Sequence, residues 1–277
     1  MHIRNADAAS VKGFGNEWAR FDQRAVPQAE INEIFAEYFS IFPWPEIPAN
    51  AQGFDLGCGS GRWSNLVARR VGHLHCIDAS IQALEVARRT AEGTNCSFHL
   101  ASVESMPLGD GSQDFGYSLG VLHHVPDTEA ALRACALKLK LGAPFLVYLY
   151  YAFDNRPFWF RALWHVSNVA RHVICRLPFA IRARIADCIA ALLYWPLARL
   201  ARLVETRGGN VRAFPLSYYR TLSFYTMRTD ALDRFGTHLE KRFKRREIAA
   251  MLSRAGFHRI VFREGPPYWC ALGNRMG

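Results

Sequence analysis

Gly53-Phe54-Asp55-Leu56-Gly57-Cys58-Gly59-Ser60-Gly61 is the stretch on which the reading of the fold turns. An apolar strand end runs into three alternate glycines. Alternate glycines let a backbone turn sharply, take up positive φ and come within contact of a ligand that a Cβ would keep away. Just beyond, Trp63, Leu66, Val67 and Arg70 repeat at helical spacing, so a helix begins at the turn with its N-terminal amides facing a pocket. Strand, glycine turn and helix together make a nucleotide-binding unit. Glycines separated by one residue say little alone, so the neighbouring segments decide.

Downstream, His73-Leu74-His75-Cys76-Ile77-Asp78 reads as a second strand with an acidic last residue, and Ser80 can cap a helix carrying Ile81, Leu84 and Ala87. Asp78 follows Asp55 by 23 positions, where dinucleotide-type folds place a carboxylate for ribose hydroxyls. Further strands are expected at Ser97 to Leu100, Asp114 to Leu119 and Phe145 to Tyr151, with a helix from Asp127 to Lys140. A helix face of Ile248, Met251, Leu252 and Ala255 then precedes strands His258 to Phe262 and Tyr268 to Leu272. This alternation predicts a doubly wound, Rossmann-like α/β fold with ligands at the carboxyl ends of its strands. The sheet has seven strands, mostly parallel, and Pro266-Pro267 suits a hairpin that sets one antiparallel strand at the edge.

Upstream, residues 1–45 are read as an N-terminal helical flap, in which Ile31, Ile34, Phe35, Tyr38 and Phe39 share helical spacing before Pro43-Trp44-Pro45. Trp18 and Phe21 either pack this segment on the main domain or cover the cofactor. Between 155 and 225 the strand-helix rhythm stops, and tryptophans and phenylalanines interleave with arginines, broken by Pro178, Pro196 and Pro215. That segment is read as an inserted helical cap, with 46–154 and 226–277 forming the Rossmann-like domain.

Half of the 277 residues are apolar and mean hydropathy is −0.05, the balance of a soluble globular chain. The seven cysteines form no C-x-x-C pair, so neither a zinc site nor a disulfide framework is suggested, and no metal is expected. The N-terminal residues lack the apolar region of a signal peptide, which points to a cytoplasmic protein. The uncharged piece Cys188 to Ala198 falls short of the roughly 20 residues of a membrane span. Net charge is +10. Between Arg156 and Glu205, eight arginines face two carboxylates, a net of +6, so the excess sits largely outside the nucleotide-binding part.

The pattern Asp55-x-Gly57-x-Gly59-x-Gly61 differs from the G-x-G-x-x-G of nicotinamide and flavin enzymes. With Asp78, the Ser102-Val103-Glu104 loop, Asp114-Phe115 and Val121-Leu122-His123-His124-Val125-Pro126-Asp127, residues 50 to 151 resemble the class I S-adenosylmethionine (SAM) dependent methyltransferases. The resemblance implies SAM as cofactor. It also implies that Gly57, Gly59 and Gly61 pass beneath the methionyl part, with Asp55 near the ammonium. Asp78 grips the ribose, Ala79 lines the adenine and Val103 meets its edge, flanked by Ser102, which stands where the family commonly has Asp, and by Glu104. Leu119 and Gly120 form the floor beside the sulfonium, and Trp18 is the expected cover. The plainer alternatives are that Asp78 serves the Ser80 turn, that Asp55 only orients the glycines, and that Glu104 is a solvated loop carboxylate.

Methyl transfer from an activated sulfonium asks mainly for in-line positioning and exclusion of water, and for a base only where the acceptor loses a proton. The candidates are His123, Tyr151 and Asn155. The expected reaction is methylation of a small or medium-sized metabolite under the cap. One alternative, in the manner of azetidine-2-carboxylate synthases, has the SAM amine attack its own γ-carbon and release methylthioadenosine. Another uses the basic cap on RNA or an anionic membrane surface. Nucleic acid is not expected, because Lys241-Arg242-Phe243-Lys244-Arg245-Arg246 reads as a solvated helix start. Oligomeric state is left open by the sequence.

Overall fold

The computed structural model describes residues 5–277. The first four residues, which include part of the expected flap and of the stretch read for a leader, lie outside the described residues.

Helix α1 (Ala8–Arg20) starts where the Asp7 carboxylate accepts from the Ser10 amide, and α2 (Gln28–Tyr38) follows. The sheet opens with β1 (Gln52–Leu56), and α3 (Arg62–Ala68) begins right after the glycine turn. Strand β2 (His73–Asp78) leads to α4 (Ile81–Thr90), where the Ser80 hydroxyl accepts from the Ala83 amide and Ala83, Leu84 and Ala87 are buried. After β3 (Cys96–Leu100) and β4 (Phe115–Leu119), α5 (Thr128–Lys138) is capped by Asp127, which accepts from the Ala130 amide at 2.9 Å. Strand β5 (Pro144–Tyr148) ends the first run. A helical stretch comprises α6 (Phe158–Ile174), α7 (Phe179–Ile189), α8 (Trp195–Thr206) and α9 (Phe224–Gly236). Helix α10 (Arg245–Arg254), β6 (Phe257–Phe262) and β7 (Cys270–Arg275) complete the chain.

The seven strands are ordered β3-β2-β1-β4-β5-β7-β6. Strands β1 to β5 pair in parallel, and β7 runs antiparallel to both neighbours. The antiparallel strand belongs to the C-terminal hairpin and lies one place in from the margin, with β6 outermost. Burial explains this placement: Cys270, Ala271, Leu272 and Gly273 are all buried, whereas β6 alternates as a half-covered edge strand does. Strand order reverses between β1 and β4, so the carboxyl ends of these two strands flank the crevice where open α/β sheets take ligands.

The chain divides into two compact units. One holds residues up to Asp22, Glu33–Ala152 and Leu239–Gly277. Its core joins Phe54, Leu56 and Ile77 of the sheet to Leu122, Leu132, Leu139, Phe145 and Leu252, each worth roughly 1.5–3 kcal/mol on removal from water. The second holds Gln23–Asn32 and Phe153–His238. These bounds differ from the sequence reading. The first unit resumes at Leu239 instead of 226, because α9 buries Met227, Ala231 and Leu232 among the helices of the second unit. Most of the expected flap clusters with the sheet, and Gln23–Asn32 does not.

Helix α1 falls within the stretch read as a helical flap. It lies on α4, and Gly15 permits this, since a Cβ there would stand 2.5 Å from the Ser80 hydroxyl. The seven cysteines are free thiols, five of them buried. Among the described residues, no helix is long and apolar enough to cross a membrane.

Candidate functional site

The glycine turn after β1 requires its glycines. Gly57, Gly59 and Gly61 have φ of 76°, 54° and 76°, a region that a Cβ makes costly. Each also meets a neighbour closely. A Cβ on Gly57 would reach 2.3 Å from Val121, one on Gly59 2.9 Å from the Trp18 indole nitrogen, and one on Gly61 2.9 Å from the Ala87 backbone of α4. The turn is thus held between α4, the loop after β4, and Trp18 of α1. The Arg62 guanidinium lies 6.0 Å from the Trp18 ring and 4.3 Å from Trp63.

Asp78, at the end of β2, ties this turn to the next one. One carboxylate oxygen accepts from the Gly59 amide at 3.0 Å and the other from the Ser80 amide at 2.8 Å. Asp78 serves the Ser80 turn and also stands against the central glycine. A carboxylate accepts about four hydrogen bonds, and the Ser80, Gly59 and Ala79 amides take up part of that capacity. Burial raises its pKa, and the backbone amides pull it back.

Asp55 is only 2% exposed. One of its oxygens accepts from Ser64 at 2.6 Å and from Tyr117 at 2.9 Å. Burial pushes its pKa up to about 7, opposed by those two hydrogen bonds. Its links run to α3 and β4, so it fixes the strand end beneath the turn.

Around the next loops, Ser102 is buried and exchanges a 3.0 Å hydrogen bond with the Ser105 hydroxyl, closing the short helical turn Val103–Ser105. Its hydroxyl is thereby engaged within the loop. Val103 sits in the core, Ala79 is half-buried and Glu104 is exposed. At the end of β4, Leu119 is half-buried and Gly120 has φ of 79°, its amide donating to the Tyr148 carbonyl at 3.1 Å. A Cβ on Gly120 would meet only Tyr148, at 3.9 Å, so the backbone there is open.

His123 is fully buried, its ring 3.7 Å from that of Tyr150 and 4.0 Å from that of His124. Neither of its ring nitrogens has a partner in the structure. Burial, then the charges of His124 and Arg242, hold its pKa well below 6.5, so the ring is neutral. Its neighbour His124 donates from Nδ1 to the Leu239 carbonyl at 2.6 Å. Segment 241–243 closes this corner: the Lys241 amide donates to the His123 carbonyl and the Phe243 amide to the Tyr150 carbonyl. Arg242 is mostly buried, pairs with Glu240 at 2.8 Å and lies 5.0 Å from the Tyr150 ring. The basic run is therefore only partly the solvated helix start that the sequence suggests.

Tyr151 packs with Tyr268 and Trp269 at 5.4 and 6.4 Å, a core role. Asn155 is exposed and belongs to the second unit. Of the two candidates in the first unit, His123 stands with the glycine-turn loops and Tyr151 does not. Sequence reasoning missed Tyr38 and Tyr148, whose rings meet edge-on at 5.2 Å, with Tyr38 also 5.7 Å from Trp63. The only signal was an aromatic at the end of a helix and at the end of a strand. Among the described residues no cluster of His, Cys, Asp and Glu is placed to hold a metal.

The arrangement is a cradle: positive-φ backbone, a carboxylate with spare acceptors one strand over, and indole and phenol rings beside it. Residues 54–147 match the family described as a methyltransferase domain. A ubiquinone biosynthesis O-methyltransferase of Xanthomonas axonopodis pv. citri is 34% identical over 144 residues, 51% of this chain and 59% of the relative. One of Aromatoleum aromaticum is 29% identical over 63% of this chain and 73% of that protein. The chain spans about 59% of the length of the first of these relatives. Among solved structures, a methyltransferase in complex with the Haloferax volcanii Trm112 activator superposes with TM-score 0.54 at 14% identity, covering 97% of this chain and 98% of the other. A SAM-dependent methyltransferase of Thermotoga maritima gives 0.51 at 13% identity, covering 97% and 100%. Those two likenesses show the fold. Residues 54–147 are thus similar to a methyltransferase domain, within a fold shared with a SAM-dependent methyltransferase of known structure.

Proposed function

We propose that the protein transfers a methyl group from SAM to a small or medium-sized metabolite. The observation that carries the reading is the bridge from Asp78 to the Gly59 amide across three positive-φ glycines. The residues suit the cofactor: Asp78 would accept from the ribose hydroxyls, Trp18 and Tyr148 would offer ring faces toward a sulfonium, and Gly57 to Gly61 would admit the methionyl part. SAM, when bound, supplies an electrophilic methyl group. The chain's own residues then position the acceptor and exclude water.

The names of the curated relatives favour a hydroxyl acceptor, which must lose its proton. His123 is our candidate for that proton, because its ring is neutral and both nitrogens are unpartnered. Leaving buried polar atoms without partners costs about 1–3 kcal/mol each, a cost that a bound hydroxyl would relieve. Incubation with SAM and a panel of phenols and amines should yield S-adenosylhomocysteine and a methylated acceptor. No such product across the panel, with methylthioadenosine formed from SAM alone, would replace methyl transfer by γ-carbon cyclisation.

A further inference from the structure

Helix α6 turns a mixed face inward, with Phe160, Trp164, Ser167, Asn168 and Ile174 half-buried and Arg171 buried. Arg171 is 4% exposed, and its guanidinium donates to Asn168 Oδ1 at 2.8 Å and to the Thr237 carbonyl at 2.8 Å. Phe158, Trp159, Leu163, Val166, Val169 and Val173 face outward, with Phe158 77%, Val166 69% and Val169 68% exposed. At 100° per residue these six fall within an arc of about 140°. Single exposed apolar residues are ordinary; a continuous aliphatic and aromatic stripe beside a buried arginine is not. On the helical run 179–206 of the same unit, Leu192, Leu193, Trp195, Leu200 and Leu203 are exposed as well.

The charges that accompany this apolar surface have one sign. Arg161, Arg176, Arg184 and Arg202 are exposed. The two carboxylates between 156 and 205 are both neutralised, Asp187 by Arg228 at 2.8 Å and Glu205 by Arg220 at 2.7 Å. A second copy of the chain would bring arginines against arginines, which disfavours self-association through this surface. We infer that the outward face of α6, with the exposed residues of 179–206, docks on an anionic lipid surface. Amphipathic helices with aromatic and aliphatic residues on one side and arginines beside them lie in the headgroup region, held by buried apolar area and attraction to anionic lipid. Because no helix among the described residues is able to cross a bilayer, the contact is peripheral.

Flotation of the full chain with vesicles tests this directly and does not depend on methyl transfer. Vesicles of phosphatidylcholine with about a third phosphatidylglycerol should carry the protein at least tenfold more effectively than phosphatidylcholine alone, with the difference reduced by salt. The double variant Val166→Asp/Val169→Asp should lose at least tenfold in partitioning while keeping its circular dichroism spectrum, since both positions are exposed. If that variant misfolds, Arg184→Glu/Arg202→Glu supplies the same test through charge. Absence of flotation on anionic vesicles, equal binding to neutral ones, or a dimer that both variants dissociate would overturn the inference.

Discussion

Asp55 and helix α6 break the apolar-inside rule in opposite directions. At the end of β1 a carboxyl is buried to 2% exposure, against Ser64 and Tyr117. On α6 valines and a leucine face outward while Arg171 is sealed inside. Elsewhere in the sheet unit the rule holds, as Leu84, Leu132 and Phe145 show. Stable packing does not ask for either exception. Burying an ionisable group disfavours its charge, and exposing a stripe forgoes its burial; Ser64 and Tyr117 offset the first from within, and a lipid surface offsets the second in our proposal.

The largest expected effect comes from Asp55. Its folded-state pKa of about 7 lies above the usual 3.8, so as pH rises the unfolded chain releases this proton first. The contribution is full below about pH 4 and is lost as pH climbs through 7, a swing of about 4 kcal/mol. Urea denaturation from pH 4 to 8 should show stability falling faster in the native protein than in Asp55→Asn; parallel curves would remove Asp55 from the comparison. The next effect measures the rule itself. Leu132→Ala, at a fully buried position of α5, should cost about 3 kcal/mol. At the site, Asp78→Ala removes an acceptor of two amides and should weaken SAM binding about 100-fold, read by calorimetry. A loss under threefold would return Asp78 to a turn-fixing role. Trp18→Ala should cost about tenfold in the same titration. The smallest effect sharpens the contrast most: Val166→Ala on the outward face should change stability by less than about 0.5 kcal/mol, against the loss at Leu132.

Much of the sheet unit was legible because its signals are local. Ser80 and Asp127 cap their helices as their types suggest, and the alternate glycines turn where positive φ is needed. The rest depends on contacts distant in sequence. Gly15 has no local role legible in the sequence, and only α4 beneath it explains the small residue. Tyr117 reaches Asp55 across 62 positions, so the strength of that site is invisible in either segment. Tyr38 and Tyr148 read as core residues until their rings are seen together. For α6 the sequence shows aromatics interleaved with arginines but not which face turns outward; in the structure Arg171 is held inside by the carbonyls of 237 and 238.

Calorimetric titration of the native chain and Asp78→Ala with SAM is the most direct test of the glycine-turn site. Saturable one-to-one binding by the native chain, lost about 100-fold in the variant with its fold retained, is the expected result. No binding by a correctly folded native chain would contradict it.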